Sequence, residues 1–91
     1  MLFKDVKDLV GTVSMTVRLC GASAEFNREY AQRLDPMLAA VREEANITSM
    51  ADVDHVSPEM EFTSEEAVSR YRDLCHWLSG QHPSFADLAT K

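Results

Sequence analysis

Between Ser23 and Asn46 the chain carries an apolar stripe that limits its folding choices more than any other stretch. Ala24, Ala31, Leu34, Leu38, Val41 and Ala45 keep heptad-like spacing, with Asn27 as the polar interruption. At about 100° per residue, Phe26, Tyr30 and Met37 lie beside that stripe rather than on it. Together these residues make an apolar sector roughly 160° wide, broader than a surface helix needs. Such a helix requires more than one packing neighbour. Ser23 is placed to cap its start, and Glu25 sits in the first turn, where a carboxylate complements the helix dipole. Glu29 and Arg33 are an i, i+4 pair on the polar side, and Asn46 is a suitable terminator. Asp35-Pro36 falls inside the segment, and proline both removes a backbone donor and restricts the residue before it. The apolar phase continues unbroken through that site. The pattern therefore predicts one helix kinked at Pro36 rather than a stop at Leu34 and a restart.

Residues 2–20 support two periods. Leu2, Val6, Leu9, Val13, Val17 and Cys20 form a helical face. From Thr12 to Leu19, however, Val13, Met15, Val17 and Leu19 alternate with polar residues, which is a strand period. A strand needs a partner for its backbone groups. The best candidate, Ala51 to Val56, has no comparable pattern. Helix is therefore expected, with an α+β fold carrying a strand at about 12–20 as the alternative. Gly21 is a suitable stop.

From Glu43 to Glu66 the chain holds eight acids and neither Lys nor Arg, while its net charge as a whole is −6. The remainder is thus slightly basic. This stretch contains a connector over 46–63, in which Ser49 and Asp52 suggest a short helical turn at about 50–55, ended by Ser57-Pro58. Thr63 and Glu66 form a T-x-x-E capping box with Phe62 placed as a hydrophobic staple. They predict a helix over 64–79 that stops at Gly80 and has Ala67, Val68, Tyr71, Leu74, Cys75 and Leu78 on its core face. Pro83 prevents simple continuation, and Ser84 with Asp87 is placed to cap a last turn bearing Phe85, Ala86 and Leu88.

The expected architecture is an all-α single domain over 1–91. A long kinked N-terminal helix or helical pair occupies most of 2–45, the acidic connector follows, and an antiparallel helix folds back across it. With 91 residues the core is small, and domains of this size often gain stability by association. The broad sector of the second segment suggests a homodimer through Phe26, Tyr30, Leu34, Met37 and Val41.

Several function classes find little support. Cys75, His76 and His82 are close in sequence, but Cys75 and His76 point about 100° apart on a helix and do not make a zinc set. Asp52 and Asp54 do not continue into a calcium-binding loop, because Val56, Ser57 and Thr63 stand where an oxygen ligand, the turn glycine and the bidentate Glu belong. No metal or cofactor is expected. Cys20 and Cys75 both read as buried, reduced, small hydrophobes, and no nucleophile motif or phosphate loop occurs, so the chain reads as a non-enzyme. Arg70 and Arg72 are surrounded by Glu65, Glu66 and Asp73, which argues against direct nucleic-acid contact. Lys4, Asp5, Lys7 and Asp8 interrupt the N-terminal apolar stretch, so neither a signal peptide nor a membrane span is expected, and a cytoplasmic location is.

Capping accounts for Asp52, Glu65 and Glu66. It leaves Glu43, Glu44, Asp54, Glu59 and Glu61 without a local role, and Glu43 and Glu44 lie near a helix C-terminus, where negative charge is unfavourable. The expected function is a non-enzymatic interaction module (an adaptor, small chaperone or inhibitor). It would present these acids beside an apolar groove to a basic protein partner, or mimic a nucleic acid. Met60, Phe62 and Trp77 are the expected anchors. The alternative is a structural homo-oligomerisation module of a larger assembly.

Overall fold

The computed structural model describes residues 1–46 and 56–90. Helix α1 spans Phe3–Cys20, α2 spans Ala24–Ala45 and α3 spans Glu65–Ser79, with a 3-10 helix over Pro83–Thr90. The fold is all-α. The N-terminal half is a helical pair, and the strand alternative at 12–20 is overturned, because α1 closes its hydrogen bonds within itself through Cys20. The separation of α1 from α2 is local chemistry. Gly21 stops α1 at φ 77°, where a side chain would be strained, and its N–H donates to the Val17 carbonyl. Two residues later the Ser23 hydroxyl accepts from the Phe26 N–H at 3.0 Å and starts α2.

Helix α2 is continuous through Pro36 and ends at Asn46, which takes the left-handed conformation at φ 59°. The ion pair expected on its polar side is present, with Arg33 3.0 Å from Glu29. The buried row of α2 is rotated from the heptad-like stripe. Met37, Ala40 and Val41 are buried, while Ala24 and Ala31 are exposed. Alanines contribute little apolar area, so the larger residues beside them decide which face turns inward.

Helices α2 and α3 are antiparallel. The last turn of α2 meets the start of α3 through Glu44, and Phe26 near the start of α2 stacks on Trp77 near the end of α3. The core joins Phe3, Val6, Leu9 and Val13 of α1 to Met37 and Val41 of α2. Phe62, Leu74, Cys75 and Leu78 fill it from the other side, and Phe85 of the 3-10 helix closes it. On α3, Val68 and Tyr71 sit at the margin of the expected core face. No buried residue among those described is charged or polar. Cys75 is buried as expected, but Cys20 is exposed, because the last turn of α1 runs past the packed core.

The part of the connector that the structure describes has a defined role. Helix α1 begins with unpaired N–H groups, as every helix does. The Phe3 N–H donates to the Met60 carbonyl and the Lys4 N–H to the Pro58 carbonyl, both at 2.9 Å. The Phe62 N–H returns a bond to the Met1 carbonyl at 2.7 Å, making a single antiparallel bridge between Leu2 and Glu61. The Asp5 carboxylate accepts from the Leu2 N–H at 3.2 Å and completes this start. Residues 58–62 thus cap α1. The helical turn expected at 50–55, and Asp54 with it, lies outside the described residues.

Candidate functional site

The proposed acidic residues divide by the work they do within the chain. Glu44 is not left over. Its carboxylate accepts from the Thr63 N–H, at 3.1 Å to each oxygen, and from the Ser64 N–H. It therefore holds the entrance of α3 against the end of α2. This also moves the start of α3. Ser64 rather than Thr63 is the cap, its hydroxyl accepting from the Ala67 N–H, and Glu66 is free to pair with Arg70 at 3.6 Å. The Glu59 carboxylate accepts from the Ser57 hydroxyl at 3.0 Å, which folds the turn after Pro58 on itself. Glu43, Glu59, Glu61 and Glu65 are exposed. Among the described residues the ion pairs are Arg33 with Glu29 and Arg70 with Glu66, so none of these four takes part in one.

The expected anchors are largely occupied by the fold. Phe62 is 1 % exposed and meets Phe3 with ring centroids 5.8 Å apart. It is a core residue, not a partner contact. Met60 is half-buried against the same core. Trp77 is also half-buried. It stacks on Phe26 at 5.4 Å and receives the Arg33 guanidinium over its face at 5.2 Å. Phe26 in turn stacks on Tyr30 at 6.0 Å and on Phe85 at 6.5 Å. Part of the α2 surface expected to pair two copies is turned inward as well. Met37 and Val41 are buried within the single chain, and Phe26, Tyr30 and Leu34 pack against its core.

The acids are also far from Trp77. Glu43, Glu59, Glu61 and Glu65 lie where α2 ends and α3 begins, while Trp77 lies one turn from the other end of α3. Thirteen residues of rise from Ser64 to Trp77 separate them by about 20 Å. The acids thus lie beside Met60, which stands between Glu59 and Glu61, while Trp77 and the rings stacked with it lie at the other, aromatic end of α3. Near the aromatic end lie open depressions lined by Phe26, Arg28, Glu29 and Trp77 and by Val17, Gly21, His82 and Phe85. Among the described residues no group of His, Cys, Asp and Glu is arranged to hold a metal ion, and no helix is long and apolar enough to cross a membrane.

Two tyrosines respond to their burial. Desolvation pushes the Tyr30 phenol up from 10.0 to about 12. The Tyr71 phenol is raised as well, first by desolvation, then by Cys75 beside it and by the carboxylates of Asp5 and Asp8. In both cases the folded state holds its proton where the unfolded chain has released it. Folding stability is then fully present below pH 10 and falls as the pH rises toward 12. Denaturant unfolding across this range should show that decline, and Tyr30→Phe should make it shallower. Absorbance of the native chain should show its tyrosinates forming later than those of the chain in denaturant.

Comparison with protein-family models, with characterised proteins and with solved structures finds no match to the chain.

Proposed function

We propose that the chain is a non-enzymatic protein–protein interaction module that receives a basic segment of its partner at the acidic end. The supporting observation is the set of exposed carboxylates of Glu43, Glu59, Glu61 and Glu65, gathered where the last turn of α2, the 58–62 segment and the first turn of α3 meet. The backbone beneath them is pinned by hydrogen bonds to α1 and by Glu44, so the charges are carried on a defined surface. A surface of one sign speeds encounter with a partner of the other and sets orientation more than it sets final affinity. Ionised carboxylates at the rim of an interface act mainly on the association rate.

Capture from a lysate of the source organism supplies the partner, and association kinetics then test the reading. The rate should fall steeply as salt rises, because the Debye length shortens from about 30 Å at 0.01 M to about 8 Å at 0.15 M. Neutralising Glu43, Glu59 and Glu61 to Gln should lower that rate roughly tenfold at low salt and flatten its salt dependence, with little change in melting temperature. An association rate indifferent to ionic strength would remove the acidic end from the mechanism.

A further inference from the structure

Pro83–Thr90 is a 3-10 helix of eight residues. Runs of this geometry beyond three or four residues are uncommon, because their hydrogen bonds are poorly aligned and side chains three apart eclipse. Of residues 83–87, Phe85 alone is buried, and it stacks on Phe26 of α2. Among the described residues no backbone hydrogen bond joins the segment to α1 or α2. The bonds at its start are local. The Gln81 N–H donates to the Leu78 carbonyl and the Phe85 N–H to the His82 carbonyl, both at 2.9 Å. One side-chain acceptor completes this start. His82 Nδ1 accepts from the Ser84 N–H at 3.0 Å, and the imidazole tilts against the Phe85 ring with centroids 5.8 Å apart.

We infer that residues 83–90 form a pH-sensitive strap, latched by the neutral His82 ring and loosened when that ring takes a proton. An imidazole nitrogen accepts a hydrogen bond only while it carries no proton, and in imidazolium both nitrogens are donors. Protonated His82 therefore turns an N–H toward the Ser84 N–H. Its positive charge also stands at the start of a helix, where the dipole favours negative charge. The latch is present while the ring is neutral and is lost as the pH falls through the range in which imidazoles charge, about pH 8 to 5. The depression of about 230 Å³ that the ring shares with Thr16 and Val17 of α1, Ser23, Phe26 of α2 and Gln81 holds no other ionisable group. On the segment itself the charged residue is Asp87, exposed and more than a turn further on, and the nearest ionisable residue of α3 in sequence is His76, also exposed. When the strap lifts, pivoting at Gly80 and Gln81, Phe85 leaves the core and Phe26 loses one of its stacked rings. Phe26 keeps its stacking on Tyr30 and Trp77, so the opening is local and leaves the three α-helices packed.

Amide hydrogen exchange followed by NMR tests the strap, with rates expressed as protection factors so that the intrinsic pH dependence of exchange drops out. The amides of residues 84–87 should be protected at least about tenfold less than those of Leu9 and Val13 in the core of α1. Relative to Leu9 and Val13, their protection should fall by roughly a further fivefold from pH 8 to pH 5, the effect of losing one capping hydrogen bond. His82→Asn keeps an acceptor that does not titrate, and should hold the higher protection at both pH values. His82→Ala should show the lower protection at both, and His76→Asn should leave the pH response of the unaltered chain intact. Amides of 84–87 as slow as those of Leu9 and Val13 would mean that the segment opens only with the whole domain, and would overturn the inference. A pH response that persists in His82→Asn overturns it as well.

Discussion

Phe62→Ala should lower the stability of the domain by about 3–5 kcal/mol, the range for removing a buried aromatic side chain and leaving a cavity. Phe62 is 1 % exposed, is among the largest fully buried side chains, and packs on Phe3 at the start of α1. Its backbone N–H also donates to the Met1 carbonyl. One residue therefore ties the 58–62 segment to α1 by both packing and hydrogen bonding. Domains carry only about 5–15 kcal/mol of net stability, so a loss of this size brings a small one near unfolding. The melting temperature should fall by roughly 15–30 °C, and the denaturant midpoint should move with it. Phe62→Leu, which keeps most of the volume, should cost less than half as much. An exposed partner anchor at the same position would behave oppositely, with unchanged melting and lost binding, so the pair of measurements separates the two roles cleanly.

Glu44→Ala should cost about 1–2 kcal/mol, because it strands the Thr63 and Ser64 N–H groups at the entrance of α3. These are charge-assisted bonds in a half-buried setting, which places them above an exposed pair and below a buried one. Glu44→Gln keeps an acceptor oxygen but not the charge, and should recover part of the loss. Glu43→Ala is the control. Glu43 is exposed in the last turn of α2, where its charge opposes the helix dipole, so its removal should change stability by no more than about 0.5 kcal/mol, or raise it slightly. Chemical denaturation of the three variants beside the unaltered chain measures all of this. Equal losses from Glu43→Ala and Glu44→Ala would mean that Glu44 acts only as a surface charge.

The neighbouring residues Glu43 and Glu44 show how far the sequence can be read. Both sit at a helix C-terminus and both lack a local partner. Nothing in the spacing separates them, because the donors that Glu44 serves stand 19 and 20 residues along the chain. Phe62 presents the same difficulty. Its position before a cap reads as a local staple or an exposed anchor, while its actual contact is with Phe3. Cys20 shares the apolar spacing of α1, and only the extent of the packed core decides that it is exposed and Cys75 is not. For α2, a sector 160° wide leaves its inward direction undetermined until neighbours are in place. Met37 and Val41 then turn to the core, while Phe26, Tyr30 and Leu34 stay half-buried at its margin.

What the sequence determined by itself was the three α-helices, with the ends of α1 and α2 and the stop of α3. Gly21, Ser23 and Asn46 act through their own backbone angles and through side chains that reach three residues away. Such short-range chemistry is present in any conformation of the neighbourhood. The apolar sector of 24–45 also required packing on more than one side, and it receives that packing. The tertiary structure alone decided which side of the sector turned inward. It also made the connector a cap for α1 and converted Glu44 from surplus charge to a structural acceptor. Those outcomes depend on groups brought together across 19 to about 60 residues of chain, and no local period encodes a contact over that separation.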